Sequence, residues 1–249
     1  MIKKDIERLR FYQAISEEPW ITIPSGKDLA NWGHEEEVSF NQSKRFLKVA
    51  DLYMDAFDFI NTNAIDGDYF EFGCHRVRTF RLALTEARRQ NLVDMRFHAF
   101  DSFSGFPDDA SDSKIDGWRA GALATSEEAF WELVQGHDLF VDRIRVIKGA
   151  YAKSLTNDLS AELLQNDCKA AMITIHCDLY ESALDVFNFI GPFLQEGTVI
   201  YIRGVFSGYK GSPRRTVARA FEESREHLGY EFADFNNLGW LGRSFITYK

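Results

Sequence analysis

Two apolar segments that each carry an acid near the end of a predicted strand, separated by one predicted helix, constrain the fold of this chain more than any other feature. The first covers residues 67–76, with the sequence GDYFEFGCHR, and the second covers residues 97–101, with the sequence FHAFD. An apolar strand ending in an acid and a glycine, then a helix, then a second strand ending in an acid, is typical of a doubly wound sheet. Because such sheets bind ligands where the carboxyl ends of their strands meet, the pattern predicts a ligand site there.

Glu71, Gly73 and Asp101 are the candidate ligand contacts in these two segments. A glycine lets the backbone come close to a ligand, and each carboxylate can accept hydrogen bonds from a polar group such as a ribose hydroxyl or an amino group. Structural roles are the alternative. Glu71 could pair with Arg76 or Arg78, and Asp101 could cap the segment that follows it.

The composition indicates one large α/β domain. The chain has 249 residues, of which 45% are hydrophobic, and this suits a full core. Its net charge of -9 argues against a nucleic-acid partner, because duplex binding depends on clustered lysines and arginines.

The hydropathy pattern and the cysteines indicate the same cellular compartment. No apolar stretch is long enough to cross a bilayer and no signal-peptide core follows the first residues, so we expect a cytoplasmic protein with no membrane partner. The three cysteines show no metal-type spacing, which favours buried free thiols in a reducing compartment.

Five predicted strands alternate with helices, which indicates a parallel sheet with right-handed crossovers. The strands cover residues 69–73, 96–100, 144–147, 171–175 and 198–202. The helices cover residues 40–61, 79–90, 181–194 and 214–228, with a further helix opening at Ser126. Two last strands, residues 230–232 and 243–248, place an antiparallel strand at one edge. The predicted fold class is α/β, doubly wound and Rossmann-like, with the outline of a class I methyltransferase.

Residues 1–40 are irregular and rich in aromatic side chains, and we predict an arm or lid there, followed by the main domain over residues 41–249. Such an arm suits exchange between the subunits of a homodimer, and it equally suits closure over its own active site. Both alternatives are open at this point.

Four segments, in order and at consistent spacing, resemble the macrocin O-methyltransferase family, which methylates sugar and antibiotic hydroxyls with S-adenosylmethionine. They are residues 68–76, 100–107, 148–155 and 175–182. The resemblance covers the chain from residue 40 onward and implies S-adenosylmethionine as the cofactor. It implies these contacts: Glu71 and Gly73 with the methionine part, Asp101 with the ribose, Ser102 and Phe103 near the adenine, and Tyr151 and Ser154 as further candidates on the adenine side.

The chain departs from this family where many members hold a divalent cation. The metal-binding aspartate after strand four is replaced by His176, although Asp178 is retained, and the aspartate pair after strand five reads Ile202-Arg203. An apolar side chain cannot ligate a metal, and arginine is always cationic. The sequence therefore predicts no metal site. Val77 also stands where the family has a second small residue.

His176, Asp178 and Arg203 are the candidate catalytic residues. A histidine titrates near neutral pH, so His176 could take a proton from a hydroxyl or an amine as the methyl group arrives. Asp178 could orient the imidazole or bind substrate, and Arg203 could hold an anionic substrate or a developing oxyanion. The alternative is a structural histidine bonded to a backbone carbonyl, with Arg203 paired to Asp178.

The sequence thus predicts an S-adenosylmethionine-dependent methyltransferase acting on a small molecule. We expect the acceptor to be a hydroxyl of a sugar-like compound or secondary metabolite, and the reaction to need no metal. Two alternatives are open: a nitrogen or carboxylate acceptor, which Arg203 would favour, and a catalytically silent relative that binds a partner. Retention of Glu71, Gly73 and Asp101 argues against the silent relative.

Overall fold

The computed structural model describes residues 25–107 and 118–249, and the chain divides into two units, Met1–Phe46 and Leu47–Lys249. Most of the predicted arm, residues 1–24, lies outside the described residues. Its described part forms helix α1 (Gly26–Ala30) and the first turns of helix α2 (His34–Thr62). The role of residues 1–40 as an arm or lid stays a prediction. No helix in the two described ranges is long and apolar enough to span a membrane.

A seven-stranded sheet with the order β3-β2-β1-β4-β5-β7-β6 forms the centre of the second unit. Strands β1 to β5 are parallel, and β7 runs antiparallel to both β5 and β6. The strands are β1 (Asp68–Phe72), β2 (Phe97–Asp101), β3 (Ile144–Lys148), β4 (Ala170–Ile175), β5 (Val199–Arg203), β6 (Glu231–Asn237) and β7 (Gly242–Tyr248). The predicted doubly wound, mostly parallel fold is confirmed.

In residues 63–107 and 118–249, six α-helices follow α2 and cover the sheet. They are α3 (Arg78–Arg89), α4 (Glu127–His137), α5 (Tyr151–Ser154), α6 (Asn157–Gln165), α7 (Tyr180–Ile190) and α8 (Thr216–Ser224). Ser126 caps α4 as predicted, because its hydroxyl accepts the backbone N–H of Ala129 at 3.2 Å. Helix α7 ends four residues earlier than the predicted position 194, since Pro192 has no N–H to continue the helix.

Both faces of the central strands are buried, which explains their continuous apolar sequences. Phe70 and Phe72 of β1 point into one core cluster, while Tyr69, which precedes Phe70, points into the other. The rings of Phe72 and Phe100 stack with centroids 4.4 Å apart, so neighbouring strands also interlock within one face.

The strand order changes direction between β1 and β4, and this places their exit loops side by side. Phe72 is the register partner of Ile175, and the next residue, His176, donates its backbone N–H to the Phe72 carbonyl at 2.8 Å. Ligands in doubly wound sheets bind at this kind of switch point. The topology therefore brings together the loops that carry the candidate site residues.

The opposite edge of the sheet, where the strands begin, holds a buried polar cluster that we name the amino-edge cluster: Asp68, Arg96, His98 and Cys168. Asp68 is only 3% exposed. Its carboxylate accepts hydrogen bonds from the Arg96 Nε at 3.0 Å, the His98 Nε2 at 3.2 Å and the Cys168 Sγ at 2.9 Å. These three donors therefore stabilise the negative charge of the buried Asp68 carboxylate.

Candidate active site

A cavity of about 420 Å³ opens at the carboxyl ends of β1 to β4. This volume lies within the range of small-molecule sites, roughly 300–1,000 Å³. The predicted site residues on its wall are Gly73, Asp101, Ser102, Tyr151, His176 and Asp178. The wall also includes residues that the sequence did not single out: His75, Ser104, Leu123, Lys148, Lys153 and Ser182.

Gly73 is required by the close approach of two backbone segments. Its φ is +92°, and a Cβ at this position would lie 2.5 Å from the carbonyl oxygen of His176. Any larger residue would therefore push the exits of β1 and β4 apart.

Asp101 ties two loops together and still faces the cavity. Its carboxylate accepts the backbone N–H of Cys74 at 2.6 Å and that of Phe103 at 2.8 Å. Burial raises the pKa of Asp101, and these two hydrogen bonds oppose the rise. Each carboxylate oxygen has a second lone pair. Asp101 can therefore accept ligand hydroxyls while it keeps its structural bonds.

Glu71 lies behind the cavity wall rather than on it. Its side chain is 0% exposed and accepts hydrogen bonds from the hydroxyls of Tyr69 and of Thr79, the latter at 2.8 Å. Burial raises its pKa to about 7 despite these bonds. Within the described ranges it forms no ion pair with Arg76 or Arg78. The predicted direct contact with the methionine part of the cofactor does not fit this placement, because the carboxyl group is enclosed.

Phe103 and Ser154 also support the wall from behind. The Phe103 ring is 7% exposed and packs on Phe130, with centroids 5.6 Å apart. The Ser154 hydroxyl donates to the carbonyl of Gly149 at 3.2 Å. Their predicted positions beside the adenine therefore do not match their side-chain positions in this structure, since neither side chain reaches the cavity.

His176 carries a neutral imidazole whose Nδ1 lies 3.5 Å from the Nη1 of Arg203. Arginine can only donate, so Nδ1 accepts and the ring proton resides on Nε2. Burial, followed by the charges of Arg203 and His75, lowers the pKa of His176 well below its usual value. The predicted role of His176 as the base conflicts with this geometry, because its lone pair faces a cation.

Asp178 is the carboxylate that faces the cavity without a hydrogen-bond donor. It lines the cavity two residues after His176, and the described residues make no hydrogen bond or ion pair to it. Burial raises the pKa of Asp178 to about 6, against the opposing charge of Arg203. The alternative of an Asp178–Arg203 salt bridge is not formed within the described part of the chain. Asp178 is therefore ionised at neutral pH and able to accept a proton.

The residues at the metal positions of the family do not fit a divalent cation. The Nδ1 of His176 faces Arg203, the Ile202 side chain is 0% exposed in the core, and Arg203 itself is a cation. Hard dications require several oxygen ligands, and of these residues only Asp178 offers a carboxylate. Three potential ligands do come together in the described ranges at Asp68, His98 and Cys168, at the opposite edge of the sheet.

The turn after β1 is strained and is held by Thr125. Arg76 and Val77 both have a φ of 56°, a conformation that costs a β-branched residue more than most. The Thr125 Oγ1 accepts the Arg76 N–H at 3.0 Å and bonds to the His75 Nδ1 at 3.0 Å. Thr125 thus stabilises a turn in which the backbone of Val77 is more strained than that of a small residue would be. Local sequence patterns did not reveal this role of Thr125.

Solved structures share this architecture. The O-methyltransferase NovP superposes with a TM-score of 0.63 at 20% identity, covering 80% of this chain and 79% of that chain. The calicheamicin methyltransferase CalS11 gives 0.64 at 18% identity, with 90% and 94% covered. TomG from Streptomyces achromogenes, solved with S-adenosylmethionine, gives 0.51 at 9% identity, with 80% of each chain covered. The likeness establishes a class I methyltransferase fold.

The family profile of the macrocin O-methyltransferases (TylF) matches residues 44–226, which is more than half of the chain. The chain therefore belongs to the macrocin O-methyltransferase family, and it is an S-adenosylmethionine-dependent methyltransferase of small molecules. No curated protein matches the sequence.

Proposed function

We propose that this enzyme methylates a hydroxyl group of a sugar-like acceptor without a divalent metal, and that Asp178 is the base. The observation that carries the proposal is the Asp178 carboxylate, which lines the cavity without a donor of its own and has a pKa of about 6. A base whose pKa lies near the working pH is suited to proton transfer. The sugar-like acceptor is supported by CalS11, which is named as a TDP-rhamnose 3'-O-methyltransferase.

The cavity fits the cofactor that the family uses. When bound, S-adenosylmethionine supplies an electrophilic methyl group. Asp101 would accept the two ribose hydroxyls with its free lone pairs, and Ser102 and Tyr151 would line the adenine side. Gly73, which lines the cavity, would lie against the methionine part.

Three residues would act on the acceptor: Asp178, His176 and Arg203. The Asp178 carboxylate would accept the hydroxyl proton as the methyl group passes from the cofactor sulfur to the acceptor oxygen, so that the S–C bond breaks and S-adenosylhomocysteine leaves. The Nε2–H of His176 donates a hydrogen bond to the acceptor and helps to orient it. Arg203 holds His176 in this tautomer and stabilises the negative charge that develops on the acceptor oxygen.

Arg203 supports a metal-independent reaction because its guanidinium supplies positive charge at the end of β5. It exerts an attractive effect on both Asp178 and Glu71, as its lowering contribution to the pKa of each shows. A dication placed beside it would be repelled.

Calorimetric titration with S-adenosylhomocysteine, first in EDTA and then with added Mg²⁺, tests the cofactor site and the metal together. We expect micromolar binding in EDTA that Mg²⁺ leaves unchanged. Asp101→Asn should weaken this binding by roughly 10- to 150-fold, because a hydrogen bond to a charged group contributes about 1.5–3 kcal/mol. Asp185→Asn is the matched control, since Asp185 lies outside the cavity wall. Binding that requires Mg²⁺ would refute metal independence, and no binding would favour the silent relative.

A further inference from the structure

The amino-edge cluster brings three side chains of the kinds that bind metals to the starts of adjacent strands. Asp68 begins β1, His98 is the second residue of β2, and Cys168 lies two residues before β4. Strands β2 and β4 pair with β1 from opposite sides, so the three residues converge at one point of the sheet edge. All three are buried.

The three ligand atoms are nearly as far apart as those around a bound zinc ion. The Oδ2 of Asp68 lies 3.2 Å from the Nε2 of His98 and 2.9 Å from the Sγ of Cys168, and the last two atoms are 3.6 Å apart. Tetrahedral zinc, with bonds of about 2.0–2.3 Å, separates its ligand atoms by about 3.3–3.6 Å. The cluster therefore needs one adjustment, a widening of the Asp68–Cys168 distance by about 0.6 Å.

The Oδ2 of Asp68 also has more donors around it than it has lone pairs. The Arg96 Nη2 lies 2.8 Å from this oxygen, in addition to His98 and Cys168. A carboxylate oxygen has two lone pairs, so three donors compete for two positions. A cation bound between Asp68, His98 and Cys168 would replace two of the donors and leave Oδ2 with two partners, the cation and Arg96.

Charge and ligand type favour zinc at this edge of the sheet. The Asp68 carboxylate and a Cys168 thiolate together balance the two charges of the ion, whereas the residues at the metal positions of the family offer one carboxylate, Asp178. Thiolate and imidazole are also ligands that suit zinc rather than Mg²⁺. Arg96 adds a positive charge, but its side chain is 39% exposed, so water and salt screen it.

The loop before β4 gives the cluster access to solvent. Asn166, Asp167 and Lys169 are exposed on either side of the buried Cys168, so a water molecule can supply a fourth ligand. The Nδ1 of His98 has no hydrogen-bond partner among the described residues. Histidines that bind metals usually donate this N–H to a second group, and losing that partner costs about 10–100-fold in affinity. We therefore expect weaker binding than at a zinc site whose histidines have such partners.

We propose that Asp68, His98 and Cys168 form a structural zinc site that joins the starts of β1, β2 and β4. On binding, the Cys168 thiol releases its proton to solvent and the imidazole proton resides on Nδ1, so Sγ, Nε2 and Oδ2 each offer a lone pair to the metal. In EDTA the same atoms make the hydrogen bonds described above. Sequence spacing did not indicate this site, because its ligands come from three separate segments.

Titration of EDTA-treated and desalted protein with Co²⁺ tests the ligand set. A cobalt ion bound to a thiolate gives a charge-transfer band in the near ultraviolet, which carboxylate and imidazole ligands do not give. We expect this band to saturate at about one Co²⁺ per chain, the stoichiometry of a single site. Added Zn²⁺ should abolish it, since zinc competes for the same thiolate and imidazole ligands.

Two ligand variants and one control locate the metal. Cys168→Ser should abolish the band, and His98→Ala should weaken Co²⁺ binding by roughly 100-fold or more, since loss of an outer partner alone costs 10–100-fold. Cys74→Ser is the matched control, because Cys74 is an equally buried thiol beside Asp101 at the carboxyl edge. Zinc should raise the midpoint of urea unfolding in the wild type and in Cys74→Ser, but not in Cys168→Ser.

Three outcomes would overturn the proposal: no binding of Co²⁺ or Zn²⁺, binding of Co²⁺ without the thiolate band, and an equal band in Cys168→Ser and the wild type. If Cys168→Ser does not fold, Cys74→Ser and Cys177→Ser decide the question. The chain has three cysteines, so a band retained in both variants belongs to Cys168, and its loss in either contradicts the site. Binding of S-adenosylhomocysteine in EDTA tests the proposed function separately.

Discussion

An aspartate is buried at each of these two edges of the sheet, and the pKa values of the two carboxyl groups are shifted in opposite directions. At the amino edge, burial alone would raise the pKa of Asp68, but hydrogen bonds from His98, Arg96 and Cys168 outweigh it and leave the pKa below its ordinary value. At the carboxyl edge, burial raises the pKa of Asp178 to about 6, because Arg203 opposes it only at a distance.

The difference distinguishes a carboxylate that is hydrogen-bonded within the fold from the carboxylate that we propose as the base. Asp68 has its donors in place, so its charge is fixed and it holds the starts of β1, β2 and β4 together. The described part of the chain offers no hydrogen-bond donor to Asp178, so its carboxylate can accept a proton from a ligand. Perturbed carboxylates in a cavity are candidates for function, whereas perturbed carboxylates in closed networks serve stability.

The largest expected effect is on turnover in Asp178→Asn. The amide cannot accept the hydroxyl proton, so we expect the rate to fall by roughly 10²–10⁴-fold, the range typical of general-base removal. Affinity for S-adenosylhomocysteine should change little. Steady-state kinetics and calorimetry measure the two quantities, and Asp185→Asn again serves as the control. Wild-type turnover in Asp178→Asn would show that Asp178 is not the base, and the functional difference from Asp68 would then disappear.

Asp68→Ala should lower the free energy of unfolding by about 3 kcal/mol, because it leaves Arg96, His98 and Cys168 without their common acceptor. The control is Asp94→Ala at the same edge. Asp94 is 99% exposed and lies 3.7 Å from Arg143, so its loss should have an effect below about 0.5 kcal/mol. Urea unfolding would measure both. If the two variants were equally stable, the amino-edge cluster would have no structural role.

The pH dependence of turnover sharpens the role of Asp178. Its folded pKa of about 6 means that the carboxylate is present above pH 6 and is protonated below it. We therefore expect kcat/KM to fall about tenfold per pH unit below 6. Arg203→Gln should raise the pH of this midpoint, because the positive charge of Arg203 stabilises the ionised form of Asp178 in the wild-type enzyme. A midpoint near 4 would show that another group limits the rate.

The smallest expected effect is in Cys168→Ala, which removes one of the hydrogen bonds to Asp68. We expect a loss of about 1 kcal/mol in unfolding free energy and no change in turnover. Cys168→Ser keeps a donor at the same position and should recover part of the stability. A loss of turnover in either variant would show that the two edges are coupled.

Local patterns in the sequence were sufficient for most of the fold. Strands β1 and β2 were both predicted to within one residue at each end, because alternating buried elements and their breakers are local properties. The ends of α7 and α8 were placed less well. Helix α8 begins at Thr216 rather than at residue 214.

The four ordered motifs were enough to predict the family, and the polar residues at the strand ends predicted a ligand site where the structure has a cavity. The surroundings of each of those residues became known only from the folded chain. It enclosed Glu71 behind the wall, turned the lone pair of His176 toward Arg203, and left Asp178 without a donor. The reason is physical: side-chain roles depend on desolvation and on partners far apart in sequence, such as Arg203 for His176, and no local pattern encodes them.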